Sequence, residues 1–180
     1  MARVPADEAA LRFAVDFCNT HDLLADPADR LTVDRLRSLA RQHGFATLAS
    51  GLRERDLAPL TRVRTGLYTV FAATTPTEKA AAVNALLDRE AARARLVADT
   101  TGTLRLIASG GADHVSRLAV TLADALARAL VDGGAERLRT CVGDPCRCVY
   151  VDRTRAGRQR YCCELCNDRM ASAAYRRRRA

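Results

Sequence analysis

The chain has 180 residues, 48% of them hydrophobic and 28% charged, and carries a net charge of +8. That size and apolar content allow one domain with a substantial core plus a small appendage, and the lack of an apolar run of about 18 residues excludes a helical membrane span. The opening residues lack the basic-then-apolar order of a secretion signal, so a soluble cytoplasmic protein with no membrane partner is expected.

Residues 9–20 place Leu11, Ala14, Val15 and Cys18 at helical spacing, with Phe13 and Phe17 widening the same face. Cys18 stands alone among apolar residues and is expected in the core. Asn19, Thr20, His21 and Asp22 then suit the end of a helix or a turn. Asp16, Asn19, Thr20 and His21, joined by the later Arg64, are also a candidate effector pocket; a turn is the plainer reading.

A second helix is expected over 31–43, with Thr32 as N-cap, Val33, Leu36, Leu39 and Ala40 inward, and Gly44 just past its end. Residues 45–54 read as a connector. A third helix should run from Asp56, with Pro59 in its first turn, through Leu60, Val63, Leu67, Val70 and Phe71. Thr75, Pro76 and Glu78 then form the strongest helix start in the chain, a capping box with proline at its first position. Ala80, Val83, Leu86 and Leu87 should be that helix's apolar side.

Two short alternating runs, 95–98 and 103–107, flank Asp99-Thr-Thr-Gly102 and predict a hairpin. The longest amphipathic pattern follows, with Val115, Leu118, Leu122, Ala125, Leu126, Ala129 and Leu130 on one side. Gly133 and Gly134 break it and are expected to mark a domain boundary, giving domains 1–134 and 135–180.

Six of the seven cysteines lie in the last 40 residues, at 141, 146, 148, 162, 163 and 166. Cys141 with Cys146 and Cys162 with Cys166 form two closely spaced pairs, each able to present two thiolates to one ion across a tight turn. Gly143-Asp144-Pro145 supplies the first turn. Residues 149–151 and 160–161 look like strands around a turn at 152–157, and a helix should follow with Cys166 in its first turn. A hairpin followed by such a ligand is treble-clef-like, and the reading is one structural zinc ion. Cys148 or Cys163 could replace a neighbour as ligand. Thiol–disulfide exchange is the rival chemistry.

Charge sharpens this reading. Residues 1–136 carry 17 basic and 17 acidic side chains, whereas 137–180 carry 12 arginines against Asp144, Asp152, Glu164 and Asp168. The whole excess therefore sits beside the cysteines, the footprint of a nucleic-acid partner. Candidate contacts are Arg153, Arg155, Arg158, Arg160, Arg169, Arg176, Arg177, Arg178 and Arg179. A solvated basic face is the neutral alternative.

These residues carry a family resemblance. Cys141 with Cys146, then Tyr150-Val-Asp152-Arg153, Arg158-Gln-Arg160-Tyr161-Cys162 and Cys166-Asn167-Asp168-Arg169 resemble the CGNR zinc-finger family. Asn167 stands where the family has glycine, and Asp168 where it has asparagine. The body is similar to that family's usual N-terminal companion, the ABATE-type domain, through Asp16-Phe17-Cys18-Asn19-Thr20 and the segment from Arg64 to Phe71. The resemblance implies a bacterial transcription regulator, stress-linked, whose finger binds DNA while the body senses something; the leading reading is that the finger docks on duplex DNA while the body forms a homodimer or senses a small-molecule effector. The expected fold is mainly α: a helical body with one short β-hairpin, plus a small zinc finger of hairpin and helix. A protein–protein interaction finger is the alternative function. With no nucleophile–base set and no open metal site, no enzyme is expected.

Overall fold

The computed structural model of the protein describes residues 5–98 and 104–179. Its body is built from helices α1 (Pro5–Cys18), α2 (Val33–Gln42), a single turn α3 (Ala46–Ala49), α4 (Leu57–Ala72), α5 (Pro76–Arg89) and α6 (His114–Ala129). Strands β1 (Arg93–Ala98) and β2 (Leu104–Ser109) pair antiparallel, with Arg93 opposite Ser109. The expected turn between them, at 99–102, lies outside the described residues. The C-terminal module consists of β3 (Leu138–Thr140), β4 (Val149–Val151) and α7 (Glu164–Arg179).

Local signals set most of these elements. The Thr32 side chain accepts from Arg35 N–H at 3.0 Å and opens α2. At α5 the capping box closes in both directions, with Thr75 taking Glu78 N–H and Glu78 taking Thr75 N–H. The connector after α2 holds the short α3, which the sequence pattern does not signal.

α6 is the central helix, packed against α1, α3, α4, α5 and β2. Its Leu118, Leu122 and Leu126 are fully enclosed together with Phe13, Phe17, Leu36, Leu60 and Leu67, so the apolar stripes of four helices meet in one core. α4 and α5 approach closely at Gly66, where a Cβ would fall 2.5 Å from a methyl of Leu86. α5 departs from its expected face. Ala80 is exposed, and the residue buried in its place is Lys79, only 3% exposed. Its ammonium donates to the carbonyls of Val70 (3.0 Å), Phe71 (3.3 Å) and Leu138 (2.9 Å). Burial is offset here by charged hydrogen bonds to the end of α4, where carbonyls lack helical partners.

After α6 the chain makes one π turn over Leu130–Gly134, and Gly133 takes φ +80°, a left-handed conformation that glycine adopts freely. It then enters β3. Leu138 of β3 and Val149 of β4 belong to the body's own hydrophobic core. The C-terminal module is therefore seated on the body, not tethered beside it.

Candidate metal centre and basic surface

The centre is assembled from two chain segments brought together by backbone hydrogen bonds. Cys141 N–H donates to Cys148 O (2.8 Å) and Cys146 N–H to Gly143 O (2.7 Å), which folds the first pair into a tight knuckle. Val142 N–H donates to Arg160 O (3.1 Å) and carries the second pair alongside. Cys162 precedes α7 and Cys166 lies in its first turn.

The sulfurs of Cys141, Cys146, Cys162 and Cys166 all lie within 4.8 Å of one another. Cys146 Sγ is 3.8 Å from Cys162 Sγ, which is 3.7 Å from Cys166 Sγ. A tetrahedral zinc with bonds of about 2.3 Å needs sulfur–sulfur edges of about 3.8 Å, so the donor set fits that ion. Cys163 is exposed outside the cluster and Cys148 is half-buried beside it.

The cysteines respond differently to their surroundings. Burial pushes the Cys141 thiol up, but N–H groups from Cys162 and Gly143 and neighbouring thiols hold it below its ordinary value. Burial raises Cys166 to about 11, and burial followed by repulsion from Cys141 and Cys146 raises Cys162. Four thiols this close cannot all ionise unaided; a divalent cation supplies the missing positive charge. Burial likewise pushes Cys148 up to about 12.

One expected pairing is corrected. The partner of strand 149–151 is β3, with Arg139 opposite Tyr150, whereas Arg160 and Tyr161 form no strand. Side chains hold the intervening loop instead. Asp152 is buried and accepts from Thr154 N–H (2.9 Å), Thr154 Oγ1 (2.6 Å) and Gln159 N–H (2.9 Å). Burial works to raise its carboxyl, but these donors, with Arg137 nearby, leave it below the ordinary range. Arg137 donates to Asp152 O at 3.2 Å, Arg139 to Gly157 O at 2.9 Å, and Tyr150 OH to Gln159 O at 2.6 Å.

The arginines therefore divide. Arg155, Arg158, Arg160 and the run Arg176, Arg177, Arg178 and Arg179 are exposed. Arg169 is not among them: its guanidinium donates to Gly143 O (2.9 Å) and Asp144 O and lies 3.9 Å from Cys166 Sγ, bracing the first knuckle against α7. Arg153 is exposed but reaches Glu8 on α1. Arg147 lies over the Tyr68 ring of α4 at 4.2 Å. Beyond Cys166, α7 buries no residue fully; Met170, Ala173 and Ala174 are half-covered.

Residues 11–133 match the ABATE family, described as "Putative stress-induced transcription regulator", and residues 137–179 match the CGNR zinc finger. The chain belongs to the ABATE family. Among curated proteins, none matches it. With the four-thiol site, the zinc-finger match identifies the cofactor as one structural zinc ion and the protein as a zinc-binding regulator. Neither family description is that of an enzyme.

In the ABATE body, the five residues expected around an effector each have defined partners within the chain. Asp16 is exposed on α1, 2.7 Å from His43 Nε2. Asn19 donates to Val149 O (3.0 Å) and accepts from Val149 N–H (2.8 Å), anchoring β4. Thr20 Oγ1 donates to Phe17 O and accepts from Arg64, whose buried guanidinium also grips both oxygens of Asp29 at 2.7 and 2.6 Å. His21 pairs its backbone with Asp29 in an isolated bridge, and its imidazole is pushed down by burial, then by Arg147 and Arg64. Of these groups, Asn19 joins the body directly to the finger. The Asp-x-Thr turn at Asp152 was readable in the sequence as an Asx signal; Lys79, Asp29 and Glu8 carried no comparable local sign.

Proposed function

We propose that the protein is a zinc-dependent regulator that binds duplex DNA through its C-terminal finger, while the helical body senses an effector or dimerises. The observation that carries this reading is the sorting of the arginines. Arg155, Arg158 and Arg160 on the loop and Arg176 to Arg179 on α7 are exposed, while Arg137, Arg139 and Arg169 hold the finger together. Zinc acts as scaffold: it fixes the knuckle and the start of α7, and the exposed guanidiniums meet phosphates.

The test is duplex-DNA affinity as a function of salt, with zinc and with chelator. Contact with about six phosphates gives a slope of log affinity on log salt near −5. Negligible affinity that does not vary with salt sinks the reading.

A second reading, protein recognition, draws on Leu165 and Val142, which are 80% and 53% exposed on the finger. Partner capture that survives nuclease and high salt would favour it.

A further inference from the structure

A cleft of about 450 Å³ opens where the zinc module meets the body. One wall is α1, through Arg12, Val15 and Asp16; the other is the finger, through Tyr150, Val151 and Arg153, with His43 at one end. The volume lies in the range of small-molecule sites. No residue of it except Asp16 belongs to the expected effector set.

Its chemistry is uneven along its length. The guanidiniums of Arg12 and Arg153 converge on a single oxygen, Glu8 Oε1, with Arg12 at 3.1 Å. Each uses one terminal nitrogen there, so the fork of each has further N–H donors, and two cations share one carboxylate. Glu8 thereby fixes both guanidiniums at this end, while the cleft's own lining carboxylate, Asp16, is engaged with His43. Val15, Val151 and the Tyr150 ring give an apolar middle, and the Tyr150 hydroxyl is turned away to Gln159 O. The other end is the Asp16–His43 pair, whose imidazole is stacked on Phe13 at 5.7 Å.

We propose that this cleft is the effector site and that it takes a small carboxylic acid with an apolar, ring-sized body. The acid meets Arg12 and Arg153, and the ring lies against Val15, Val151 and Tyr150. Because one cation comes from the body and one from the finger, a bound acid ties the two parts together. The proposal deepens the sensing half of the reading above and rests on it for its regulatory meaning.

The test uses the zinc-loaded full chain and benzoate as probe, with neutral benzamide beside it, followed by NMR of the Val15 and Val151 methyls and of His43. Benzoate should give saturable shifts at these groups below about 10 mM, and benzamide should not. Arg12→Ala, at an exposed position, should weaken benzoate at least tenfold with zinc content and helicity unchanged. Absence of shifts, equal shifts with benzamide, or full affinity in Arg12→Ala overturns the proposal. The titration contains no DNA, so its failure and a failure of DNA binding are separate results.

Discussion

Asn19 and Val149 stand 130 positions apart in sequence and exchange two hydrogen bonds, at 3.0 and 2.8 Å. A side-chain amide at the end of α1 here completes the outer edge of a finger strand, as a neighbouring strand would. Asn19→Ala should leave both Val149 groups unpaired at a half-buried position and cost about 1–3 kcal/mol. Zinc-loaded denaturation together with amide exchange at Val149 checks this; unchanged protection at Val149 would count against the joint.

Lys79 makes the second link, from α5 to β3. Lys79→Met keeps the aliphatic length but removes the donor shared by the Val70, Phe71 and Leu138 carbonyls. A loss of about 1–3 kcal/mol is expected, since the missing bonds outweigh relief from burying an ammonium. Equilibrium unfolding of zinc-loaded protein measures it, and a variant as stable as the parent refutes the assignment.

The Arg64–Asp29 pair predicts a pH dependence. The hydrogen bond from Arg64, partly opposed by desolvation and aided by Leu31 N–H, lowers the Asp29 carboxyl from 3.8 to about 2. Below 3.8 the unfolded chain takes up the proton first, so the pair's stabilisation is present above that value and fades as pH falls toward about 2. Because Asp29 is half exposed, the effect should be modest. Asp29→Asn should be less stable than the parent at neutral pH, with the gap closing through that window; a gap independent of pH would contradict it.

Removal of the metal should reach beyond the finger. Cys146→Ser is expected to lose the zinc and with it folding free energy on the order of 10 kcal/mol within residues 137–179. Leu138 and Val149 are part of the body's core, so thermal unfolding of the body should also shift downward. Cys163→Ser, outside the cluster, should keep one zinc per chain by elemental analysis. One zinc and an unchanged fold in Cys146→Ser would overturn the ligand set.

Arginine substitutions should separate into two kinds. Alanine at Arg155, Arg158 or Arg177 should leave stability unchanged and reduce the salt slope of DNA binding by about 0.9 for each phosphate left without its guanidinium. Arg169→Ala should instead loosen the knuckle and lower zinc affinity, because its guanidinium holds Gly143 O and Asp144 O. Zinc competition with a chelating dye distinguishes them, and an Arg169→Ala protein with full zinc affinity would place that residue back on the surface.

What could be read along the chain was whatever acts within a few residues. The Thr75–Glu78 box, the stripe of α6 and the spacing of Cys141, Cys146, Cys162 and Cys166 depend on neighbours at most one turn or one knuckle away, and so they show in sequence. The net charge excess, which lies in the last 44 residues, was legible in the same way. The strand facing Val149–Val151 was not, because Leu138–Thr140 is three residues long and shows no alternation to distinguish it. Nor were the roles of Asn19, Lys79, Arg153 and Arg169. Each of these side chains looks locally like a turn residue or a solvated charge, and its role follows from which backbone carbonyl or carboxylate the packed chain brings within hydrogen-bond reach. The cysteine pattern announced the metal; the placement of the finger on the body, through interactions across more than a hundred residues, created the cleft between them.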